Sequence, residues 1–251
     1  MQKTYNVYYN LGYWFILLIV LAFAGFYTSY LSVIFRPTLP VIHIHFTLMA
    51  IWMVMLVAQP FLIKYKKLAI HRLLGKVSYV LVPLVLLSAF LMMRMGYYRD
   101  LGFFQQQAAS GVNNLTNDQI LHKVRGFAAL PFVWFFWFII FYSMAIINRR
   151  KSAVHARYML ATGLSLFGPI IDRIFFRVET VANNIPAESV AFFLADLILG
   201  LLLWKDYQEK RSTRTLRNCL VIYLIGQLLY FTAPGSLVWQ SFVAFVMRPA
   251  P

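Results

Sequence analysis

The sequence predicts an all-α, polytopic membrane protein of about seven transmembrane helices, with its N-terminus inside and its C-terminus outside. Hydrophobic residues make up 61% of the 251-residue chain and charged residues only 12%, whereas a soluble domain usually carries about a quarter charged residues. The apolar residues form blocks of roughly 16–24 residues, each long enough to cross a hydrocarbon core of about 30 Å. The dyad alternation that marks barrel strands is absent, so these blocks are expected to be helices.

The spans follow one another along a single membrane domain, 1–251. They are predicted at 12–35, 43–63, 73–95, 124–147, 157–177, 187–204 and 218–233. The segment 97–121 is expected to be an outer loop, long enough to cover a site. Pro234-Gly235 should end the last span and leave a short aromatic segment at the outer interface.

The positions of the basic residues predict the orientation. The net charge is +15, and most lysines and arginines fall in segments that share one side if the N-terminus is inside. An excess of Lys and Arg in short loops marks the cytoplasmic side of a membrane. The same bias suits anionic lipid headgroups on the inner face of a bacterial inner (plasma) membrane, and it argues against nucleic acid as a partner. The inner basic residues are Lys3, Lys64, Lys66, Lys67, Arg72, Lys76, Arg149, Arg150, Lys151, Arg157, Lys205, Lys210, Arg211, Arg214 and Arg217.

A short pattern occurs twice. The motif at 67–71, KLAIH, precedes the third span, and the motif at 151–155, KSAVH, precedes the fifth. A further histidine, His45 or His122, lies at the outer end of the span before each motif. Two parallel repeats would make 43–177 a pseudo-symmetric core of four helices. Chance similarity between two basic loops is the alternative.

The five histidines separate into two layers. His43, His45 and His122 lie near the outer surface, and His71 and His155 lie near the inner surface. Neutral imidazole is a strong ligand for haem iron, and two helices that each offer a histidine at one depth can hold haem b between them. His45 with His122 would form an outer site and His71 with His155 an inner one. Histidines that only meet the membrane interface are the alternative.

Ionisable residues within the spans predict a second kind of site. A charge at such depth costs roughly 2.5–3.5 kcal/mol and usually faces a partner or a cavity. One interpretation is internal ion pairing of Asp196 with Arg94 or Arg173. The other is an outer polar cavity that binds a metal ion or handles a lipophilic substrate, and that attracts anions. Its predicted metal ligands are His43, His45, His122, Asp172 and Asp196, and its other polar residues are Arg94, Arg173, Gln227, Lys123, Arg125 and Arg177. Met49, Trp52 and Gln59 are predicted to share the helix face of His45.

Several familiar chemistries are absent from the sequence. It contains no P-loop, no H-E-x-x-H motif and no nucleophile elbow. The last predicted span has no lysine for a retinal Schiff base, which disfavours a rhodopsin. The single cysteine, Cys219, excludes an internal disulfide and a thiolate cluster.

The stretch 43–81, HIHFTLMAIWMVMLVAQPFLIKYKKLAIHRLLGKVSYVL, resembles a family of bacterial multi-pass membrane proteins of unknown function. The shared pattern is an outer histidine, a helix with tryptophan and glutamine, and then L-H-R-x-x-G. It is matched by His45, Trp52, Gln59, His71, Arg72 and Gly75. The segment 154–175, VHARYMLATGLSLFGPIIDRIF, is similar to a later helix of that family. This resemblance implies the fold and no activity.

The histidine plan is also similar to that of cytochrome b561, in which spans two and four hold one haem and spans three and five hold the other. This resemblance implies the pairs His45–His122 and His71–His155, with a quinone or a small redox partner. The hypothesis we favour from the sequence is therefore a b-type cytochrome that moves electrons across or within the membrane. The alternatives are a non-haem transporter, a metal-dependent enzyme of lipophilic substrates, and a structural or assembly factor.

Overall fold

Helices form the regular structure of the computed structural model, which describes residues 10–175 and 186–249, and no strand occurs within those ranges. The predicted all-α, polytopic fold is confirmed. Arg177 and the end of the predicted fifth span lie outside the described residues. The helices are α1 (Leu11–Phe26), α2 (Pro40–Lys64), α3 (Leu68–Ala109), α4 (Asn117–Phe127), α5 (Ala129–Ile147), α6 (Ser152–Leu164), α7 (Phe167–Phe175), α8 (Ala187–Gln208), α9 (Arg214–Thr232) and α10 (Leu237–Val246).

Five helical stretches in the described residues are long and apolar enough to cross a membrane. They are α2, α3, the nearly continuous pair α4–α5, α8 and α9. The first predicted span is shorter, because α1 has 16 residues. The fifth is divided, because α6 ends at Leu164 and α7 begins at Phe167. Pro169 lies in the first turn of α7, where a missing N–H group costs no helical hydrogen bond.

The prediction of a long outer loop at 97–121 is wrong. Helix α3 continues to Ala109 and contains 42 residues, which is about 63 Å at a rise of 1.5 Å per residue. Helix α4 begins at Asn117, so the true connection is a short turn. The outer third of α3 therefore extends beyond the length that a hydrocarbon core requires.

Two signals in the sequence account for this helical extension. Tyr97, Leu101 and Phe104 recur at helical spacing, and they pack in one apolar cluster with α4 and α10. Thr116 and Gln119 form a capping box, in which each side chain accepts a hydrogen bond from the other residue's backbone N–H. The polar composition of the segment concealed both signals.

The break at Pro234-Gly235 and the short apolar helix after it are present. Helix α10 folds back against α4 rather than lying free at the interface. The Trp239 indole N–H donates to the carbonyl oxygen of Arg125 at 2.8 Å, and the Gln240 side chain donates to that of His122 at 3.2 Å. The outer end of the protein is thus a compact unit of α3, α4 and α10.

The main buried cluster draws on all seven predicted spans. Helices α2 and α3 pack as one antiparallel pair and α5 and α6 as another, while α1, α8 and α9 cover their flanks. The Tyr223 hydroxyl of α9 donates to the carbonyl oxygen of Ala161 in α6 at 2.8 Å, and Trp137 of α5 donates to that of Ile222 at 3.1 Å. The predicted core, 43–177, therefore shares its buried surface with α8 and α9.

A buried ion cluster at the inner end joins α6 to α8. Arg157 Nη2 lies 2.6 Å from Asp206 Oδ2, and the two side chains are only 5% and 3% exposed. Arg211 Nε lies 2.8 Å from the other Asp206 oxygen, although it is not aligned for a hydrogen bond, and Arg211 also pairs with Glu209. A carboxylate buried this deeply is stable only because it faces two guanidinium groups.

Replacing Asp206 with asparagine should destabilise the protein strongly. The change leaves the buried Arg157 guanidinium without its carboxylate, and breaking a buried pair in this way costs about 3–5 kcal/mol. Glu209→Gln is the matched control, because that exposed partner of Arg211 should contribute less than about 1 kcal/mol. Thermal unfolding of both variants in the same detergent measures the difference. Equal melting temperatures for the two variants would contradict the role of the pair.

Candidate functional site

The two inner histidines meet at one cavity. His71 of α3 and His155 of α6 both line a cavity of about 660 Å³, which lies between the α2–α3 and α5–α6 pairs and is flanked by α1. This volume is in the range of small-molecule and cofactor sites, about 300–1,000 Å³. The inner pair predicted from the repeat is therefore brought together on a single surface.

The repeated motif forms the same local structure twice. Lys67 precedes α3 and Lys151 precedes α6, and each histidine lies in the first turn that follows. The His71 N–H donates to the Lys67 carbonyl oxygen at 3.0 Å, and the His155 N–H donates to that of Lys151 at 2.9 Å. Equivalent places at two neighbouring helix starts bring the two imidazoles to a similar depth.

The two imidazoles differ in their partners. His155 Nδ1 lies 2.9 Å from the carbonyl oxygen of Ala145, so it donates there, and Nε2 keeps its lone pair. A histidine that binds a metal is commonly oriented by such a bond. His71 Nδ1 is buried without a hydrogen-bond partner. Its backbone is held instead, because Gln59 Nε2 donates to the His71 carbonyl oxygen at 3.3 Å.

Polar atoms without partners are concentrated at this cavity. In the described part of the chain, seven buried side-chain nitrogen or oxygen atoms lack a hydrogen-bond partner. Three of them, Trp52 Nε1, Gln59 Oε1 and His71 Nδ1, belong to residues that line the cavity. Buried polar groups are nearly always paired, so each exception calls for an explanation. A ligand that supplies the missing hydrogen bonds would explain all three.

The deeper end of the cavity has a second polar layer. The Ser78 hydroxyl donates to the Gly75 carbonyl oxygen at 2.6 Å, so the Tyr142 hydroxyl, 2.8 Å away, donates to Ser78. Trp52 packs edge-on against Tyr142 with 5.6 Å between ring centroids, and it is 1% exposed. Trp52 lies two helical turns, or about 10 Å, beyond Gln59 along α2. The cavity thus reaches from the histidine layer into the interior of the bundle.

The cavity is positively charged on its inner side. Arg72 and Lys76 of α3 and Arg149 and Arg150 of the α5–α6 connection contribute to its lining, and all four are exposed. No aspartate or glutamate is among its lining residues in the described part of the chain. We call these four residues the basic mouth. The cavity therefore combines a cationic entrance with apolar walls.

The outer histidines have separate partners. His45 Nδ1 lies 3.0 Å from the Ser88 hydroxyl, and His43 Nδ1 lies 2.7 Å from the Tyr30 hydroxyl. The His122 side chain is exposed on α4, whose packing against α3 includes Tyr97. Ser88 and Tyr97 are about 13 Å apart along α3. His45 and His122 are therefore held apart, whereas His71 and His155 line one cavity.

The Asp196 carboxylate is held by a neutral group. Gln227 Nε2 donates to Asp196 Oδ2 at 2.9 Å, while Asp196 Oδ1 has no partner. The predicted ion pair of Asp196 with Arg94 or Arg173 is not formed among the described residues. Arg173 donates to a backbone carbonyl oxygen of its own helix at 2.9 Å, and Arg94 donates to one at the end of α10 at 3.3 Å.

A metal site is not assembled from the outer residues in the described ranges. Within residues 10–175 and 186–249, no group of three or more His, Cys, Asp or Glu side chains is arranged to hold a metal ion. All five predicted ligands, His43, His45, His122, Asp172 and Asp196, lie within these ranges. The histidines among them bond to hydroxyl groups or point outward, as described above.

Comparison of the chain with protein-family models, with curated proteins and with solved structures found no match. The resemblances to the bacterial membrane family and to cytochrome b561 therefore stay predictions. The function is therefore inferred from the geometry of the chain's own residues.

Most residues that line the cavity were not predicted from the sequence. Trp52 and Gln59 were assigned to the helix face of His45, whereas both line the inner cavity. The available signal was on α3, where His71, Gly75 and Ser78 follow one another at helical spacing and share a face. Tyr142 gave no signal, because its approach to Ser78 depends on how two distant helices pack.

Filling the cavity from Gly75 should close it without disturbing the fold. A Cβ atom added at Gly75 would meet no atom within 4 Å, and the same holds at Gly96 on the outer part of α3. Ala156 lines the cavity, so an Ala156→Cys variant places a thiol there as a probe. The native Cys219 is buried, so the new thiol is the accessible one. We expect Gly75→Leu to slow the labelling of this thiol by a small water-soluble thiol reagent at least about tenfold.

Gly96→Leu in the same Ala156→Cys background is the matched control and should label like the parent. Labelling rates of the solubilised proteins, followed by mass spectrometry, make the comparison. If both leucine variants label at the parent rate, Gly75 does not face an accessible cavity.

Proposed function

We propose that this integral membrane protein is a b-type haem protein of the bacterial inner membrane, and that it carries electrons within the membrane through one haem at the inner cavity. The observation that supports this proposal is the meeting of His71 and His155 on one cavity, with His155 Nδ1 tied to the Ala145 carbonyl oxygen. The apolar helices provide the membrane setting. The cofactor and the electron transfer are the proposed part.

The cavity residues fit haem in three respects. His155 keeps the Nε2 lone pair that an axial ligand needs, and His71 would supply the second imidazole from the facing helix. Apolar side chains such as Met55, Leu56 and Met159 line the interior, where a flat macrocycle is removed from water. The basic mouth offers cations to the two carboxylates of haem. Haem supplies reversible one-electron transfer when it is bound.

The chain's own residues would set the geometry and the access of water. Gln59 holds the first turn of α3 by its bond to the His71 carbonyl oxygen, and Ala145 orients the His155 ring. A single site near the inner surface favours electron exchange on that side over transfer across the bilayer. A lipophilic quinone in the inner leaflet, or a small redox partner at the inner face, is the class of partner that such a position suits.

A second candidate function is a non-haem protein that binds or transports a lipophilic substrate in the same cavity. The unpartnered indole N–H of Trp52 favours this candidate, because iron ligation by two histidines leaves that donor without an acceptor. The metal-dependent form of this hypothesis used the outer residues, and their separate placement does not support it.

The absorption spectrum of the purified protein distinguishes the two candidates. Protein from a haem-replete host should show a Soret band that shifts on reduction with dithionite. His71→Ala and His155→Ala should each lose most of the bound haem, because each removes one axial imidazole. His45→Ala is the matched control and should keep the band, since His45 bonds to Ser88 and does not line the cavity.

A colourless preparation from that host would refute the haem proposal. If His45→Ala loses the band and His155→Ala keeps it, the haem is bound by the outer histidines instead of the inner ones. A redox titration of the coloured protein then gives the potential against which quinones can be compared.

A further inference from the structure

We infer that the inner cavity recognises an amphiphile with an acidic group: the acid lies at the basic mouth, the apolar part lies inside, and an acceptor oxygen reaches Trp52. This inference rests on the same cavity as the proposed function and adds the class of ligand. Recognition of the acid holds for a haem, which carries two carboxylates, and for an acidic lipid of the inner leaflet. The contact of an oxygen with Trp52 holds for the lipid alone. Carboxylate or phosphate recognition is the chemistry that the two sources share.

The basic mouth has free capacity for an anion. Arg72 Nε donates to the Leu68 carbonyl oxygen and Arg149 Nη1 to that of Ile146, both at 3.3 Å, which leaves most N–H groups of each guanidinium available. A guanidinium group binds carboxylate or phosphate through paired N–H groups. Because the mouth has no acidic residue among the described lining residues, its positive charge is not neutralised from within.

The acidic residues of the inner end are already engaged elsewhere. Asp206 faces Arg157 and Arg211, and Glu209 pairs with Arg211, in the buried ion cluster that joins α6 to α8. That cluster satisfies its own carboxylates and takes none of the mouth residues. The mouth therefore has no acidic partner of its own among the described lining residues, and an anionic lipid headgroup or a carboxylate cofactor can supply one.

The buried indole of Trp52 indicates that the ligand carries a hydrogen-bond acceptor in addition to an acyl chain. Its indole N–H can only donate, it has no acceptor, and its side chain is 1% exposed. The Tyr142 ring packs against the indole, but its hydroxyl oxygen is not placed to accept this hydrogen bond. A buried donor without a partner is unfavourable, and a ligand oxygen would remove that cost. An ester or keto oxygen about two helical turns inside the mouth fulfils this need.

The mouth and Trp52 together exclude a neutral hydrocarbon as the preferred ligand. An alkane or a neutral alcohol would leave the four cations without a counter-ion. An acidic amphiphile satisfies both ends of the cavity at once, because its acid meets the arginines and its oxygen-bearing portion meets the indole. Gln59 Oε1 and His71 Nδ1, between these ends, can bond to a hydroxyl group or a bound water of the same ligand.

The test compares an acid with its neutral counterpart on the purified full-length protein in neutral detergent. The probes are a long-chain fatty acid and the alcohol of the same chain length. The fatty acid should bind at least about tenfold more tightly than the alcohol, because only the acid forms charge-assisted hydrogen bonds with the arginines. The double variant Arg149→Gln/Arg150→Gln should lose about tenfold or more in affinity for the acid and leave the alcohol unchanged.

The double variant Arg214→Gln/Arg217→Gln is the matched control. It removes the same charge from the inner face, but neither residue lines the cavity, so the affinity for the acid should stay at the parent value. Equal binding of acid and alcohol, or an equal loss in the two double variants, overturns the inference. A general surface-charge effect would give the second of these results.

Two further measurements identify the source of the acid. In a coloured preparation, Arg149→Gln/Arg150→Gln should lower the retained haem, and Trp52→Phe should leave it unchanged. In a colourless preparation, mass spectrometry of the extracted lipids should find acidic lipids enriched over the host membrane, and Trp52→Phe should reduce them. A colourless protein that still prefers the fatty acid refutes the haem proposal and keeps this inference. A coloured protein that retains its haem fully in the Arg149→Gln/Arg150→Gln variant supports the haem proposal and refutes this inference.

Discussion

Polar groups inside a hydrocarbon layer have no water to bond, and the arrangement of this bundle follows from that constraint. Most buried polar side chains are satisfied by a nearby helix: Ser88 by His45, Arg157 by Asp206, and the Tyr223 hydroxyl by a carbonyl oxygen of α6. The exceptions are therefore informative. When three of them fall on one cavity, the simplest physical account is that a ligand completes their hydrogen bonds.

The stability of the bundle and the position of the cavity are connected through α6. His155 and Arg157 lie two residues apart in the first two turns of this helix, so they project to different sides. Arg157 holds the inner end of α6 to Asp206 of α8, while His155 faces the cavity. The ion pair therefore resists movement of α6 along the bundle and keeps His155 level with His71. A buried pair is weak evidence for net stability, but it specifies register well.

The sequence predicted the fold class and the inner histidine pair, because both follow from local patterns. Apolar blocks of sufficient length indicate spans directly. A motif repeated before two helices that both start at the inner side places its histidines at equivalent depths. The outer loop was mispredicted because the polar glutamines of α3 masked the helical spacing of Tyr97, Leu101 and Phe104. The Arg157–Asp206 pair and the approach of Trp52 to Tyr142 were beyond prediction, since each joins residues that only tertiary packing brings together.

The repeat itself explains why one end of the bundle is a candidate site and the other is not. Each repeat unit contributes an outer histidine and an inner one, so the sequence offers two equivalent pairs. At the outer end, α3 continues past the membrane and α4 packs against this extension, which separates His122 from the level of His45. At the inner end both helices begin directly after a short basic connection, and both histidines line one cavity. The asymmetry of the connections, rather than of the histidines, therefore brings the inner pair together and separates the outer pair.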